Sequence, residues 1–454
     1  MKYKIALKYA NKVDDVLLAF QPGPLTIDEL DEFYYDKTME VRTGDSSDSP
    51  IDDIYDACKM PLENNPFLLL GHRGCGKSTE LNVMSRRLRE DGYKVFTIPC
   101  GIDMDTLNPD YSDILILMGD ALLQIAGEAG CKPSQKLSDM IEGFWSDIEQ
   151  TTTLLDDDEL ELQAGITAET PPIIRQLLKM SFKVKSTLKF SEQRRTTYRD
   201  RISRRLSEWT QAMNELADII TEKMEGKQPI LIFEDLDKLE APAALSIFLD
   251  HAPSMSDVTF PTIYTFPIAL SYDTRFRALD GYFNKVNFPM IKLQEISGER
   301  YEAGYRTIEE IVKKRADLEI FGEGSLDLMI EKTGGSLRDL FGAIIAAATR
   351  ARRRRSAKIE VEDALRALEK LKTELKKTID GKNYKFLADI SRGNREKIED
   401  KEMLLKMLQA GTVLEYNGKG WYNVHPLVND FLIEQGILEE EGSSQLSSTP
   451  DSGC

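Results

Sequence analysis

Eight residues constrain this chain more than any others: Gly71-His72-Arg73-Gly74-Cys75-Gly76-Lys77-Ser78, the pattern G-x-x-x-x-G-K-S. They follow directly on the apolar run Phe67-Leu68-Leu69-Leu70 and precede a helical pattern that begins near Thr79. A buried strand anchors such a loop, and the helix after it turns its unpaired N–H groups toward an anion. The glycines let the backbone bend so that successive N–H groups converge on phosphate oxygens. Lys77 supplies a point charge for the outer phosphates, and the Ser78 hydroxyl is a ligand suited to Mg²⁺. With Gly at about 7% of residues, a chance match in a chain this long is roughly a 2% event. The strand-loop-helix setting lowers that further. The pattern implies binding of ATP or GTP by Gly71 to Thr79.

Length and composition bound the rest. The chain has 454 residues, 41% hydrophobic and 30% charged, which suggests about three domains with ample core. No stretch approaches the roughly 18 uninterrupted apolar residues of a membrane span, and the N-terminus lacks the apolar core of a signal peptide. Cysteines 58, 75, 100, 131 and 454 are scattered with no C-x-x-C pair. That fits a reducing cytoplasm with neither a disulfide framework nor a zinc site. The histidines, at 72, 251 and 425, are not at ligand spacing, which leaves Mg²⁺ as the expected metal. A net charge of −18 repels nucleic-acid backbones on average, so DNA binding would need a local basic patch.

Residues up to about 50 read as an N-terminal segment. From Ile51 to about Ile291, apolar runs alternate with helical patterns, which predicts a mainly parallel α/β sheet. The candidate strands are Phe67–Leu70, Lys94–Pro99, Ile230–Phe233, Thr262–Phe266 and Val286–Ile291. The gap between the second and third must hold an inserted helical region, about residues 130 to 228. There, Tyr198, Ile202, Leu206, Trp209, Met213, Leu216 and Ile220 recur at helical steps. They predict one helix from about Glu192 to Lys223 whose stripe packs into a core. A helical unit follows, about 296 to 378. From Asp380 to about 435, helices lead into Thr412–Tyr416, an Asn417-Gly418 turn and Trp421–Val424. Asn-Gly between two such runs signals a hairpin, and helices before a hairpin suggest a winged helix. The Ser-rich end from about 436 reads as disordered.

The run Ile230-Leu231-Ile232-Phe233-Glu234-Asp235 is an apolar strand ending in acids. At the C-terminal edge of a parallel sheet, carboxylates can hold Mg²⁺ and polarise an attacking water. Ser78, Glu234 and Asp235 are thus the candidate metal residues. The order of the acids, Glu first and Asp second, leaves their division of labour open.

With these residues in view, the chain resembles the AAA+ and related STAND branch of P-loop ATPases, from about residue 51 to 434. The resemblance is to prokaryotic members with a helical lid and a winged-helix end. It implies a sheet ordered 5-1-4-3-2, ATP rather than GTP, and hydrolysis. It sets Thr265 where the family carries a polar sensor for the lytic water, although a β-favouring threonine in a strand needs no such role. Gly334-Gly335-Ser336-Leu337-Arg338-Asp339 resembles the start of the lid helix that senses the γ-phosphate, with Arg338 as its arginine. Ser336 and Asp339 also read as a capping box. An arginine from a neighbouring subunit often completes such sites, which implies a homo-oligomer. Arg275 and Arg277 are weak candidates for it.

Two basic clusters remain: Arg350 with Arg352 to Arg355, and Arg194, Arg195, Arg199, Arg201, Arg204 and Arg205. Either could grip phosphates, but cations at a helix end also offset its dipole. The segment before the hairpin, Ile398 to Leu408, is mixed and acid-leaning, unlike a major-groove reader. The reading that follows is an ATP-driven switch acting on a protein partner, in signalling or prokaryotic defence. Its alternatives are a DNA-remodelling ATPase resembling origin-recognition or transposition regulators, and a nucleotide-binding scaffold with little turnover.

Overall fold

The structure, a computed structural model, describes residues 6–45, 48–60, 66–149, 161, 164–187, 199–200, 202–395, 398, 400–416 and 420–439. They form two compact units, one drawn from 50–71 and 80–288, the other from 1–49, 72–79 and 289–454.

The first unit is built on β1 (Phe67–Gly71), β2 (Val95–Pro99), β3 (Ile230–Glu234), β4 (Thr262–Pro267) and β5 (Asn284–Asn287). The strands are parallel in the order 2-3-4-1-5, which from the other edge is the 5-1-4-3-2 the resemblance implied. Parallel strands are covered on both faces and so read as unbroken apolar runs. Accordingly β1 and β4 are buried along their whole length, and β3 up to Phe233. Leu69 lies opposite Thr265 and Ile232 opposite Ile263. The C-terminal ends of these strands therefore emerge at one edge, where open α/β sheets bind ligands.

The fifth strand departs from expectation. Its ladder covers Asn284–Asn287, not Val286–Ile291. Phe288, Met290 and Ile291 are buried, but the Phe288 N–H donates to the Leu70 carbonyl at 2.7 Å and closes the sheet there. Apolarity marked burial, not pairing. The observed strand is polar, as suits an edge that must not recruit further strands.

Around the sheet lie α1 (Lys77–Glu90), α2 (Cys100–Asp103), α3 (Tyr111–Glu128), α4 (Gln135–Glu149), α5 (Pro172–Thr187) and α6 (Leu206–Lys223). The single helix expected from Glu192 is not continuous: Arg205, at φ −118° and ψ 19°, leaves helical geometry just before α6. Its guanidinium donates to the Gly143 carbonyl and pairs with Glu208. Tyr198 lies outside the described residues. The rest of the stripe is core: Ile202, Trp209, Met213, Leu216 and Ile220 are buried. Trp209 stacks on Phe144 at 4.0 Å between ring centres and donates its indole N–H to the Leu115 carbonyl.

In the second unit, Ala10, Val13, Val16, Ala19 and Phe20 share one core with α7 (Glu302–Lys313), α8 (Ser325–Thr333), α9 (Leu337–Arg353) and α10 (Val361–Lys376). Ile308 and Val312 on α7, and Ile344, Ala347 and Ala351 on α9, bury the stripes that helical spacing predicts. Each large apolar side chain so buried contributes about 1.5–3 kcal/mol. Phe20 meets Phe341 edge-on at 5.3 Å, and the buried Arg315 donates to the Ala19 carbonyl. The N-terminal residues are thus integral to this core. The chain ends with α11 (Tyr384–Ser391), α12 (Lys401–Ala410), the antiparallel pair β6 (Val413–Tyr416) and β7 (Trp421–Val424), and α13 (Pro426–Glu434). The Asn417-Gly418 turn and the chain from 440 lie outside the described residues. No described helix is long and apolar enough to cross a membrane.

Candidate nucleotide site

The loop leaves β1 at Gly71 and enters α1 at Lys77. Gly74 and Gly76 have φ of +85° and +107°, backbone that L side chains resist. Space forbids a side chain at Gly74 as well: a Cβ there would stand 2.5 Å from the Cβ of Arg338. Lys77 is 5% exposed and donates from Nζ to the His72 carbonyl at 2.9 Å. Ser78 and Thr79 are half-buried in the first turn of α1. Thr79 Oγ1 accepts the Leu25 N–H at 3.2 Å. Arg73 is exposed and Cys75 buried.

Sequence reasoning missed the residue that clamps this loop. Arg42, in the short helix Met39–Thr43, is 2% exposed. Its Nη2 donates to the Cys75 carbonyl at 2.8 Å and its Nη1 to the Pro289 carbonyl at 2.6 Å. Charge-assisted bonds of this kind are short and strong, and the guanidinium adds positive potential at a loop built for anions. No motif announces an arginine thirty residues upstream, so nothing in its spacing could have found it.

His72 is buried with its ring turned to the hairpin, where Nε2 accepts the Glu415 N–H at 2.8 Å. Burial, then the charge of Lys77, lowers its pKa to about 3. The ring is therefore neutral near pH 7, and the network puts its proton on Nδ1.

The turn between α8 and α9 carries Gly334 and Gly335 at φ +60° and +87°. A Cβ on Gly335 would lie 2.1 Å from the Ile291 carbonyl oxygen. Ser336 caps α9 by accepting the Asp339 N–H at 3.4 Å. The reciprocal half of the expected capping box is replaced: the Ser336 N–H donates to the Thr333 carbonyl. The Asp339 carboxylate lies instead 4.0 Å from Nε2 of the buried His425. Arg338 is exposed in the first turn of α9, with its Cβ against Gly74.

In the first unit, Glu234 ends β3 half-buried, and Asp235 follows at φ +70°, a conformation that Asp tolerates better than most residues. The Asp235 carboxylate packs on Gly101, where a Cβ would be 2.6 Å from Oδ2, and pairs with Lys238. Thr265 is 1% exposed. Its hydroxyl donates to the Phe233 carbonyl and accepts the Leu236 N–H, both at 3.1 Å. A hydroxyl has a single proton to give, and here it ties β4 to the corner that carries the acids. The buried Cys100 thiol is pushed well up by burial and then by Asp103, Asp235 and Glu234. Within its own unit each expected metal residue offers hard oxygen, the Ser78 hydroxyl in one and the Glu234 and Asp235 carboxylates in the other, the donor type that Mg²⁺ prefers.

The candidate arginines divide between paired and exposed ones. Arg275 grips Asp273 through two bonds of 3.0 Å, and Arg277 is exposed. Arg199 pairs with Asp113 at 2.8 Å, and Arg354 pairs with Asp363. Arg350, Arg352, Arg353 and Arg355 are exposed at the end of α9. Arg194, Arg195 and Arg201 lie outside the described residues.

A parallel sheet in this order, with the G-x-x-x-x-G-K-S loop leaving β1 and acids leaving β3, is the fold that the AAA+-like resemblance implied. No family profile and no curated protein matches the chain. Solved structures do. The Walker-type ATPase of Pyrococcus abyssi is 15% identical, with 91% of this chain and 99% of that one covered at a TM-score of 0.41. The Aeropyrum pernix ORC2 protein, solved as ADPNP-ADP complexes, is 12% identical over 92% and 98% at 0.36. The Aeropyrum pernix ORC1 protein in complex with DNA is 11% identical over 86% and 92% at 0.35.

Proposed function

We propose that this chain binds and hydrolyses ATP and acts as a nucleotide-controlled switch on a protein partner. The observation that carries the reading is the loop itself: two glycines at positive φ, a buried lysine opening a fourteen-residue helix, and Arg338 against Gly74. In this reading the loop amides and Lys77 hold the phosphates, and Arg338 feels whether the outermost is present. Ser78 with Glu234 and Asp235 would hold Mg²⁺, which neutralises charge on the phosphoryl oxygens. One of these two carboxylates would also orient the attacking water, and Thr265 keeps the acid corner rigid. Arg275 and Arg277 are the candidates to act on a neighbouring copy, which makes a homo-oligomer part of the proposal. Arg275 would first have to leave Asp273. Helices α11 and α12 with the β6–β7 hairpin and α13 would form a winged-helix-like module that carries the motion to the partner.

The test is phosphate release and Mg-nucleotide calorimetry on the intact protein, beside Lys77→Ala and Asp235→Asn. Loss of binding in the first and of turnover in the second is expected. Hydrolysis by both variants at the parent rate would sink the reading. One observation favours a second use: Arg352, Arg353 and Arg355 are exposed together. A duplex titration over a salt series decides, since a protein gripping phosphates loses affinity steeply as salt rises.

A further inference from the structure

We propose that His72, the second residue of the phosphate loop, is a positioning residue that latches the C-terminal hairpin to the loop and so couples nucleotide occupancy to release of that module. This rests on the nucleotide reading above.

Three observations converge on His72. The phosphate-loop pattern leaves this position open to any residue, yet here it holds an imidazole that is 5% exposed and aimed at β6. Its Nε2 accepts a backbone N–H, that of Glu415, at 2.8 Å. Its carbonyl accepts the ammonium of Lys77 at 2.9 Å. A single residue therefore gives its main chain to the phosphate-binding lysine and its side chain to the hairpin. When phosphate draws Lys77 away, the His72 carbonyl loses its donor, and the backbone that carries the ring is released from that tie.

Tyr416, the next residue of β6, ties the hairpin further within the same unit. Tyr416 donates its hydroxyl to the Gly334 carbonyl at 2.9 Å, and Met290 bridges Tyr416 along the strand. The first of these is on the turn between α8 and α9, just ahead of Arg338. The hairpin is thus tied to both the loop and the turn, and the His72 tie is the one that lies inside the phosphate motif. A neutral, buried ring suits this work, because a protonated Nε2 could not accept the amide.

The experiment compares the parent with His72→Ala and His72→Gln, whose side-chain oxygen can stand where Nε2 stands. Hydrogen exchange is followed across Val413–Tyr416 without nucleotide, and release of a fluorescent ADP analogue is timed by stopped flow. Exchange at the Glu415 amide should speed up about tenfold or more in His72→Ala, since a buried amide left without its acceptor opens readily. The glutamine variant should restore protection. Analogue release should change at least about fivefold in His72→Ala and stay near the parent in His72→Gln. Tyr416→Phe, which leaves the His72 contact intact, reports how far hairpin loosening alone affects release. Unchanged exchange in His72→Ala overturns the latch. Lost protection with unchanged release overturns the coupling. A parent that binds no nucleotide removes the functional reading and the coupling with it, while the exchange measurement still decides the latch.

Discussion

The Cβ of Arg338 stands 2.5 Å from where a Cβ on Gly74 would be, so the first turn of α9 rests on the bare backbone of the loop Gly71–Ser78. Gly74 is thereby required twice, by its φ of +85° and by that contact.

Gly74→Ala should weaken nucleotide binding by about tenfold or more, since at least 1.4 kcal/mol of strain and displacement would fall on the loop. Calorimetry measures it directly. An alanine variant with parental affinity would mean that α9 does not rest on the loop in solution.

Arg42 answers two buried carbonyls, those of Cys75 and Pro289. Arg42→Met keeps the aliphatic stem and deletes the donors. The unpaired acceptors should lower stability by about 2–4 kcal/mol, read as an earlier denaturation midpoint, and nucleotide affinity should fall as well. If stability were lost with affinity intact, the clamp would serve the fold alone.

His72 and His425 give the fold an acid limit. Burial dominates both shifts, with Lys77 adding to it at His72, while Asp339 and Asp430 partly oppose it at His425. The folded values are about 3 and about 4, against 6.5 for a free imidazole. As pH falls below about 6.5 the unfolded chain takes up protons that the native chain refuses, so stability is lost toward acid. The loss is about 1.4 kcal/mol per pH unit for each ring, or about 2 kcal/mol each at pH 5. Denaturant melts between pH 7 and 5 should show that slope. His72→Gln and His425→Asn should each flatten it, and an unaltered slope in both would exclude these two rings as its source.

Thr265→Val removes the hydroxyl that joins Phe233 and Leu236, and Thr265→Ser keeps it. Turnover should fall about tenfold in the valine variant, equivalent to about 1.4 kcal/mol, and stay near parental in the serine variant. Equal rates in all three would deny the corner any part in hydrolysis.

Much of the fold was legible because local signals and burial agree at particular residues. The apolar runs at Phe67 and Ile230 became β1 and β3 since a parallel strand is apolar on both faces. Where the two signals separate, the reading slipped. Phe288 to Ile291 is apolar because it is buried, yet the ladder stops at Asn287. The stripe from Ile202 to Ile220 is core as its spacing says, but the backbone breaks at Arg205, where side-chain bonds to Gly143 and Glu208 are available. The capping box at Ser336 is half-formed because Asp339 turns toward His425, a residue far along the chain.

The chain alone determined the phosphate-loop motif and the acidic strand end, because each is written in residues a few positions apart, while the order of the sheet came from the resemblance those motifs carry. Tertiary structure alone decided that Arg42 clamps that loop and that His72 meets the amide of a strand some 343 positions away. Such partnerships depend on where packing leaves a buried donor facing a buried acceptor, and no local spacing records that.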